Sequence, residues 1–318
     1  MPPRKIEVCG GDYEYTLNFA GVTDGVEVTY RVVPIMELFA RMIRERAYEA
    51  CEFSLANYII LKDSGAEWLD AIPVFLNRNF RHDIIYVRKD SKLREPADLR
   101  GCRVGVPDYS MTAAVWARGL LNEQYGVNWR DIAWHCEAAH SRFAAPEGAR
   151  VTIVEGDLEQ MLIDGEIDAF ITTTLRDERL PQAERRLRRL IPDVENAERE
   201  YYRTTGIYPI NHCVVIRTDV LERMPDLPRV LFDRYTTAKR DAYRRRVGAT
   251  LLPWARLNWS DVFDFFGGDP IAFGLTDANR MVVSKLIDYL HEQNFISKKP
   301  VLESLFVPGS ADFRERTE

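Results

Sequence analysis

The feature that most narrows the fold is an alternation of β-branched runs with apolar stripes at helical spacing, repeated along the first third of the chain. Residues 5–9 and 27–33 read as strands by composition and by their in–out alternation. A Gly10-Gly11-Asp12-Tyr13 turn and a polar segment up to Gly25 separate them. Pro34 then precedes Met36, Phe39, Ala40 and Ile43, whose three- and four-residue steps line one helix face. Residues 51–55, 71–75 and 83–87 are further strands, the middle one broken by Pro73, which has no amide hydrogen to give a ladder. Strands that alternate with helices within one unit predict an α/β arrangement, a mainly parallel sheet covered on both faces.

The same alternation continues. A polar turn leads into a short strand that Pro107 ends, and Ser110 is placed to cap a helix through Ala113, Val115, Trp116, Leu120 and Leu121. The free amides of such a first turn face whatever precedes the helix. Residues 151–154 read as a strand, 158–164 as a helix closed by Gly165, and 167–172 as a strand running into Thr172-Thr173-Thr174. The highly charged stretch 176–189 predicts a solvated helix or loop. After a strand at 209–216 the chain is almost entirely helical, with 227–246 and 278–293 the clearest periodic segments, and the polar stretch 311–318 is expected to fray.

Composition excludes several classes. At 46% hydrophobic and 29% charged residues the chain is neither disordered nor of low complexity. Its 318 residues suit about two domains, read from length alone as consecutive. With 43 basic against 49 acidic residues the formal net charge is −6, which argues against a general nucleic-acid or membrane-surface binder. No stretch approaches the ~20 apolar residues of a membrane span, and the start at Met1 has no leader-like apolar run. Cys9, Cys51, Cys102, Cys136 and Cys213 are odd in number and scattered, without a Cys-x-x-Cys pair. They predict reduced thiols in a cytoplasmic protein rather than disulfides or a zinc site.

Several phrases carry a resemblance. They are Cys9-Gly10-Gly11-Asp12-Tyr13, Glu52-Phe53-Ser54-Leu55-Ala56-Asn57-Tyr58, and Ile72-Pro73-Val74-Phe75 with Phe80-Arg81-His82. Pro96-Ala97-Asp98-Leu99-Arg100-Gly101 and the run from Val104 through Asp108-Tyr109-Ser110-Met111-Thr112 to Trp116 follow. Tyr201-Tyr202-Arg203-Thr204-Thr205-Gly206-Ile207-Tyr208-Pro209-Ile210-Asn211-His212 completes the set. Taken together and in this order they resemble the 4,5-dihydroxyphthalate decarboxylase family over nearly the whole chain. The Pro-Ala-Asp-Leu-Arg-Gly phrase alone recurs in many solute-binding proteins.

The resemblance implies a two-lobed type 2 periplasmic-binding-protein-like fold, with mixed, mainly parallel sheets flanked by helices and two hinge crossings. Lobe 1 would be 1–106 plus 216–318 and lobe 2 would be 107–215, with the ligand cleft between them. It also implies decarboxylation, without cofactor or metal, of a hydroxylated aromatic dicarboxylate, 4,5-dihydroxyphthalate to protocatechuate. The partner is then a small aromatic carboxylate, with no nucleic acid and no membrane, and a homo-oligomer is left open. The alternative from another class is a solute-binding receptor for an aromatic acid that feeds a transporter.

Such a reaction must clamp a dianion and move a proton to carbon, and residue types follow from that. Arg matches a carboxylate with two parallel hydrogen bonds, which singles out Arg78 and Arg81 beyond the 71–75 strand. His changes charge near neutral pH, which singles out His82 and His212. Asp108 is a candidate to orient a histidine, and Tyr109 to bind a ring hydroxyl. Ser54, Thr112, Thr172 and Thr173 offer neutral donors and acceptors. Each has a plainer reading: a surface Arg-His pair, a satisfied core histidine, a β-branched strand end. Trp116, Tyr201 and Tyr202 read as core. His82, His212 and a carboxylate such as Glu52 or Asp108 would suit a metal only by converging in space.

Overall fold

The computed structural model describes residues 4–248 and 254–315, so the start of the chain at 1–3 and the final residues 316–318 lie outside the described part. Contacts divide the chain into one unit of residues 1–78, 210–283 and 300–318 and a second of residues 79–209 and 284–299. The first unit begins with β1 (Arg4–Gly10), β2 (Gly21–Thr23), β3 (Val26–Val32), α1 (Ile35–Glu45), β4 (Ala50–Ser54), α2 (Leu55–Asp63) and β5 (Leu69–Arg78). The second carries β6 (Ile85–Arg88), β7 (Arg103–Val106), α3 (Thr112–Tyr125), β8 (Ala133–Glu137), β9 (Arg150–Val154), α4 (Leu158–Asp164), β10 (Ala169–Ile171), β11 (Leu187–Arg189) and α5 (Val194–Thr205). The chain returns to the first unit with β12 (Ile210–Arg217), α6 (Thr218–Arg223), α7 (Leu227–Gly248) and α8 (Ala255–Phe266), and α9 (Asp277–Glu292) follows.

Each unit holds a six-stranded mixed sheet. The first has the order β2-β3-β1-β4-β12-β5, with β1 parallel to β3 and β4 and with β12 antiparallel to both its neighbours. Its core joins Ile6, Val8, Ala50, Ile72, Val74, Val214 and Ile216 of the sheet to Leu227, Leu231 and Tyr235 of α7. The second has the order β11-β6-β10-β7-β8-β9, parallel from β10 to β9. Here Ala113, Ala114, Ala117 and Leu121 of α3 pack with Val104, Val106 and Ile171 in one cluster. Leu158 and Leu162 of α4 pack with Phe170 in another. Among the described residues no helix is long and apolar enough to cross a membrane.

The division falls at 78/79 and 209/210, not near 106 and 215, because partner strands decide it. β6 and β7 both pair within the second sheet, whereas β12 lies inside the first. Residues 79–106 therefore belong with the second unit, and 210–215 with the first.

Other local expectations also give way to tertiary context. β5 runs through Pro73 instead of breaking there. It is an edge strand whose register with β12 shifts between His212 and Val214, so no ladder amide is required of Pro73. The charged stretch 176–189 is pinned by carboxylates that accept backbone amides. Glu159 takes Arg176 and Asp177 N–H, and Asp177 takes Arg186 and Leu187 N–H, which delivers β11 to the sheet edge. Ser110 does not cap α3; Met111 holds that position, and Ser110 hydrogen-bonds Asp108. The C-terminal stretch is ordered through Glu315, whose carboxylate accepts from Lys239 and from Phe273 N–H.

Gly119, in the middle of α3, marks a close approach. A Cβ there would lie 2.2–2.4 Å from three atoms of the Tyr289 ring. That ring cannot swing away cheaply, because its hydroxyl donates to Glu123 at 2.6 Å and it packs edge-on against Trp116. Gly→Ala in a helix gains about 1 kcal/mol of propensity, whereas overpacking a fixed ring costs about 1–3 kcal/mol. Gly119→Ala is therefore expected to be destabilising on balance, and a urea midpoint at or above that of the parent chain would contradict this.

Candidate active site

Parallel β1 and β4 end side by side, and there the apolar stripe of the sheet turns polar. Gly10 allows it: a Cβ would sit 2.3 Å from the Tyr30 hydroxyl oxygen and 3.3 Å from Glu52 Oε2. Glu52 is fully buried, and a buried carboxylate is costly unless its oxygens are met by donors. Gly11 N–H donates to Oε2 at 2.8 Å, and the Tyr13 hydroxyl donates to Oε1 at 2.7 Å. His212 Nδ1 lies 2.6 Å from the same Oε1. Burial, and then the Glu52 carboxylate, push the Tyr13 pKa far up, so this hydroxyl remains a donor.

Strand geometry explains why His212 reaches Glu52. It pairs across β4 with Ser54, two residues on from Glu52 and on the same face of that strand. Register shifts against β5 flank it on both sides, an irregularity that re-aims a side chain. Phe39 of α1 meets the imidazole edge-on at 5.0 Å. With Nδ1 committed to the carboxylate, Nε2 has no hydrogen-bond partner among the described residues, and the side chain is 15% exposed. A carboxylate-oriented imidazole with one free nitrogen is chemically able to pass a proton. Asn77 bonds Tyr13 and accepts from Asn211 Nδ2 at 2.9 Å, while Asn211 Oδ1 is enclosed without a partner.

The second unit holds the other notable charge. Arg81 is 3% exposed, and no hydrogen bond or ion pair reaches its guanidinium among the described residues. Burial pushes its pKa down to about 10, although Asp83, Tyr208 and Glu198 act in the other direction. His82 beside it is fully enclosed, with Nε2 3.0 Å from Gln124 Oε1, Nδ1 unpartnered, and Tyr201 edge-on at 5.3 Å. Burial pushes the His82 pKa down. Glu198 of α5 is pushed up to about 7, first by burial and then by Asp83.

A carboxyl with a raised folded pKa binds its proton more tightly in the native state than in the unfolded one. Glu198 thus contributes stability at low pH that is lost as pH rises from the unfolded value of 4.5 through about 7. Glu198→Gln imitates the protonated form. It is expected to raise the urea midpoint at pH 8 and to leave it little changed at pH 5. His82 acts oppositely below its ordinary range, so the difference between the two chains is the quantity to compare; equal pH profiles would refute the assignment.

The remaining candidates are occupied by structure. In the first unit, Ser54 caps α2 by accepting Asn57 N–H, and Arg78 donates to Ala272 O and Asn279 Oδ1. In the second, Asp108 accepts from Ser110 and from buried Arg142 at 2.9 Å, so it is not what orients His82. Tyr109 is a core residue with its hydroxyl enclosed and Arg118 stacked 3.9 Å over its ring. Thr112 is buried in the first turn of α3. Thr172 closes a turn with Thr174, whereas Thr173 is exposed. Among the described residues no group of three or more His, Cys, Asp or Glu is placed to hold a metal ion. Sequence reasoning passed over Tyr13 and Asn211, and weighed Glu52 only as a metal ligand. The available signal was a lone acid inside the otherwise uncharged strand Ala50–Ser54.

Two mixed α/β units linked by a returning strand define a known class. The alkanesulfonate-binding protein of Xanthomonas axonopodis pv. citri superimposes with a TM-score of 0.60 at 14% identity, over 96% of this chain and 99% of that one. A Candida albicans protein described as having the generic periplasmic binding protein fold gives 0.55 at 10% identity, over 94% and 92%. The fold is therefore periplasmic-binding-protein-like. No protein-family model matches the chain. Its sequence is 32% identical over 305 residues to the 4,5-dihydroxyphthalate decarboxylase of Comamonas testosteroni, covering 91% of each chain. It is 36% identical over 157 residues to the Pseudomonas putida protein of the same name, covering 46% of this chain and 61% of that one. The chain belongs to the 4,5-dihydroxyphthalate decarboxylase family and is a decarboxylating enzyme.

Proposed function

We propose that the enzyme converts 4,5-dihydroxyphthalate to protocatechuate, with His212 as the proton carrier and Arg81 as a binding group for a substrate carboxylate. The observation that carries the chemistry is the Glu52–His212 pair, whose carboxylate fixes the ring through Nδ1 and leaves Nε2 to work. In this substrate each carboxylate is para to a hydroxyl. Once that hydroxyl loses its proton, negative charge reaches the carboxyl-bearing carbon. His212 gives that carbon a proton, the C–C bond breaks, carbon dioxide leaves, and the bonding pair returns to the ring and its oxygen. The ring oxygen then regains its proton from solvent, so one proton is consumed per turnover, and the partly exposed imidazole can take its own back from solvent.

His212 suits this step better than His82. His82 is enclosed and bonded to Gln124, and burial disfavours its charged form, so it suits holding α3 against the segment after β5. Arg81 fits the clamp because burial of its guanidinium outweighs the attraction of Asp83, Tyr208 and Glu198, and the charge stays costly until an anion meets it directly. We place the protein in the cytoplasm, on the strength of its free, scattered thiols.

The test is to incubate the purified protein with 4,5-dihydroxyphthalate in heavy water and to follow carbon dioxide and product. One ring deuterium at the vacated carbon is the expected outcome. Tight binding without release of carbon dioxide would defeat the substrate assignment.

A further inference from the structure

An open groove of about 440 Å³ in the second unit is walled by Arg94, Arg188, Arg189, Leu190 and Pro192. The charge of Arg189 is met by Glu178 at 2.6 Å. Among the described residues neither Arg94 nor Arg188 has a carboxylate within ion-pair distance. Both turn instead to main-chain carbonyls. Arg94 donates to Ser91 O at 2.6 Å, and Arg188 donates to Leu93 O at 2.6 Å and to Ser91 O at 3.4 Å.

Two guanidinium groups thus converge on one carbonyl, against their mutual repulsion. Burial, and then Arg94, push the Arg188 pKa down. Pinning the 89–94 loop accounts for Arg188; the Asp98 carboxylate, which accepts from Arg94 N–H at 2.7 Å, holds the main chain at Arg94, while its exposed guanidinium stays beside that of Arg188 at the Ser91 carbonyl. Each guanidinium has five donors, so both keep donors for a ligand. Leu190 and Pro192 add an apolar wall.

We propose that this groove is an anion site, in which a small organic carboxylate or phosphate is held between Arg94 and Arg188 with its apolar body against Leu190 and Pro192. Planar forks at a fixed spacing suit such oxyanions. The site uses none of the residues assigned to the reaction and does not depend on that assignment.

Calorimetric titration of the full chain with phthalate, and separately with phenyl phosphate, tests it. An Arg81→Met background removes the binding group proposed for the substrate. In that background Arg94→Glu is expected to weaken binding about tenfold or more, the loss of one charge-assisted contact. Arg94→Glu alone should decarboxylate at the parent rate. Arg188→Gln is a second variant, whose circular dichroism and melting curve check that the loop is intact. A loss of affinity on Arg94→Glu that is larger for phthalate identifies a carboxylate site and one larger for phenyl phosphate a phosphate site, and either supports the proposal. Identical isotherms with and without Arg94→Glu for both probes overturn it.

Discussion

His212→Ala is expected to lower kcat by about 10²–10⁴-fold, the usual contribution of a positioned acid–base group, with little change in substrate binding. Deleting the imidazole leaves the Glu52 carboxylate buried with Gly11 N–H and the Tyr13 hydroxyl still donating to it, so the fold keeps most of that network. Glu52→Gln is the informative companion. The amide is isosteric, but it offers the imidazole no charge and can turn a donor toward Nδ1. It should also lower kcat strongly, and the double variant should be hardly worse than the worse single, because the two side chains act as one unit. Parent-like turnover in His212→Ala would remove the proposed proton carrier.

Arg81→Met is expected to separate binding from stability. Losing the partner of a buried carboxylate costs about 2–5 kcal/mol, so KM should rise by about 30-fold to a few thousandfold. The unliganded protein should meanwhile gain stability, up to about 1–3 kcal/mol, because the cost of burying this cation exceeds its attraction to Asp83, Tyr208 and Glu198, and an apolar chain of similar length bears no such cost. The pKa direction agrees. A folded value of about 10 against 12.5 unfolded means that the native state holds the proton less well. The penalty is then present in full at neutral pH and relaxes only as pH rises through about 10. A destabilised variant with unchanged KM would show that Arg81 is structural.

The strand–helix alternation was legible because its causes are local. Period-two and period-3.6 patterns place β1, β3, α1 and α7 close to where they lie. The path of β5 through Pro73 was not, because its permission comes from a register shift with a strand about 140 residues away. Nor could local pattern say which sheet β6 and β7 would join; they look like the strands before them, and only pairing assigns them. His212 was legible as a candidate from its type and its place in a strand. Its carboxylate partner was obscure, since Glu52 and His212 are 160 residues apart. His82 shows the converse limit: a histidine beside an arginine reads as reactive, and only packing reveals that its ring is sealed.

The position of β12 between β4 and β5 bears on biogenesis. A nascent chain that has emerged only as far as Pro209 has made both neighbours but not the strand that joins them, leaving two open edges able to recruit another chain. The inserted unit can condense during that interval, since its segment from 79 to 209 is contiguous apart from residues 284–299. Closure of the first sheet, and with it the meeting of Glu52 and His212, is a late event of high contact order. Chaperone demand should therefore concentrate in that window, and the Glu52–His212 pairing arrives together with protection from aggregation.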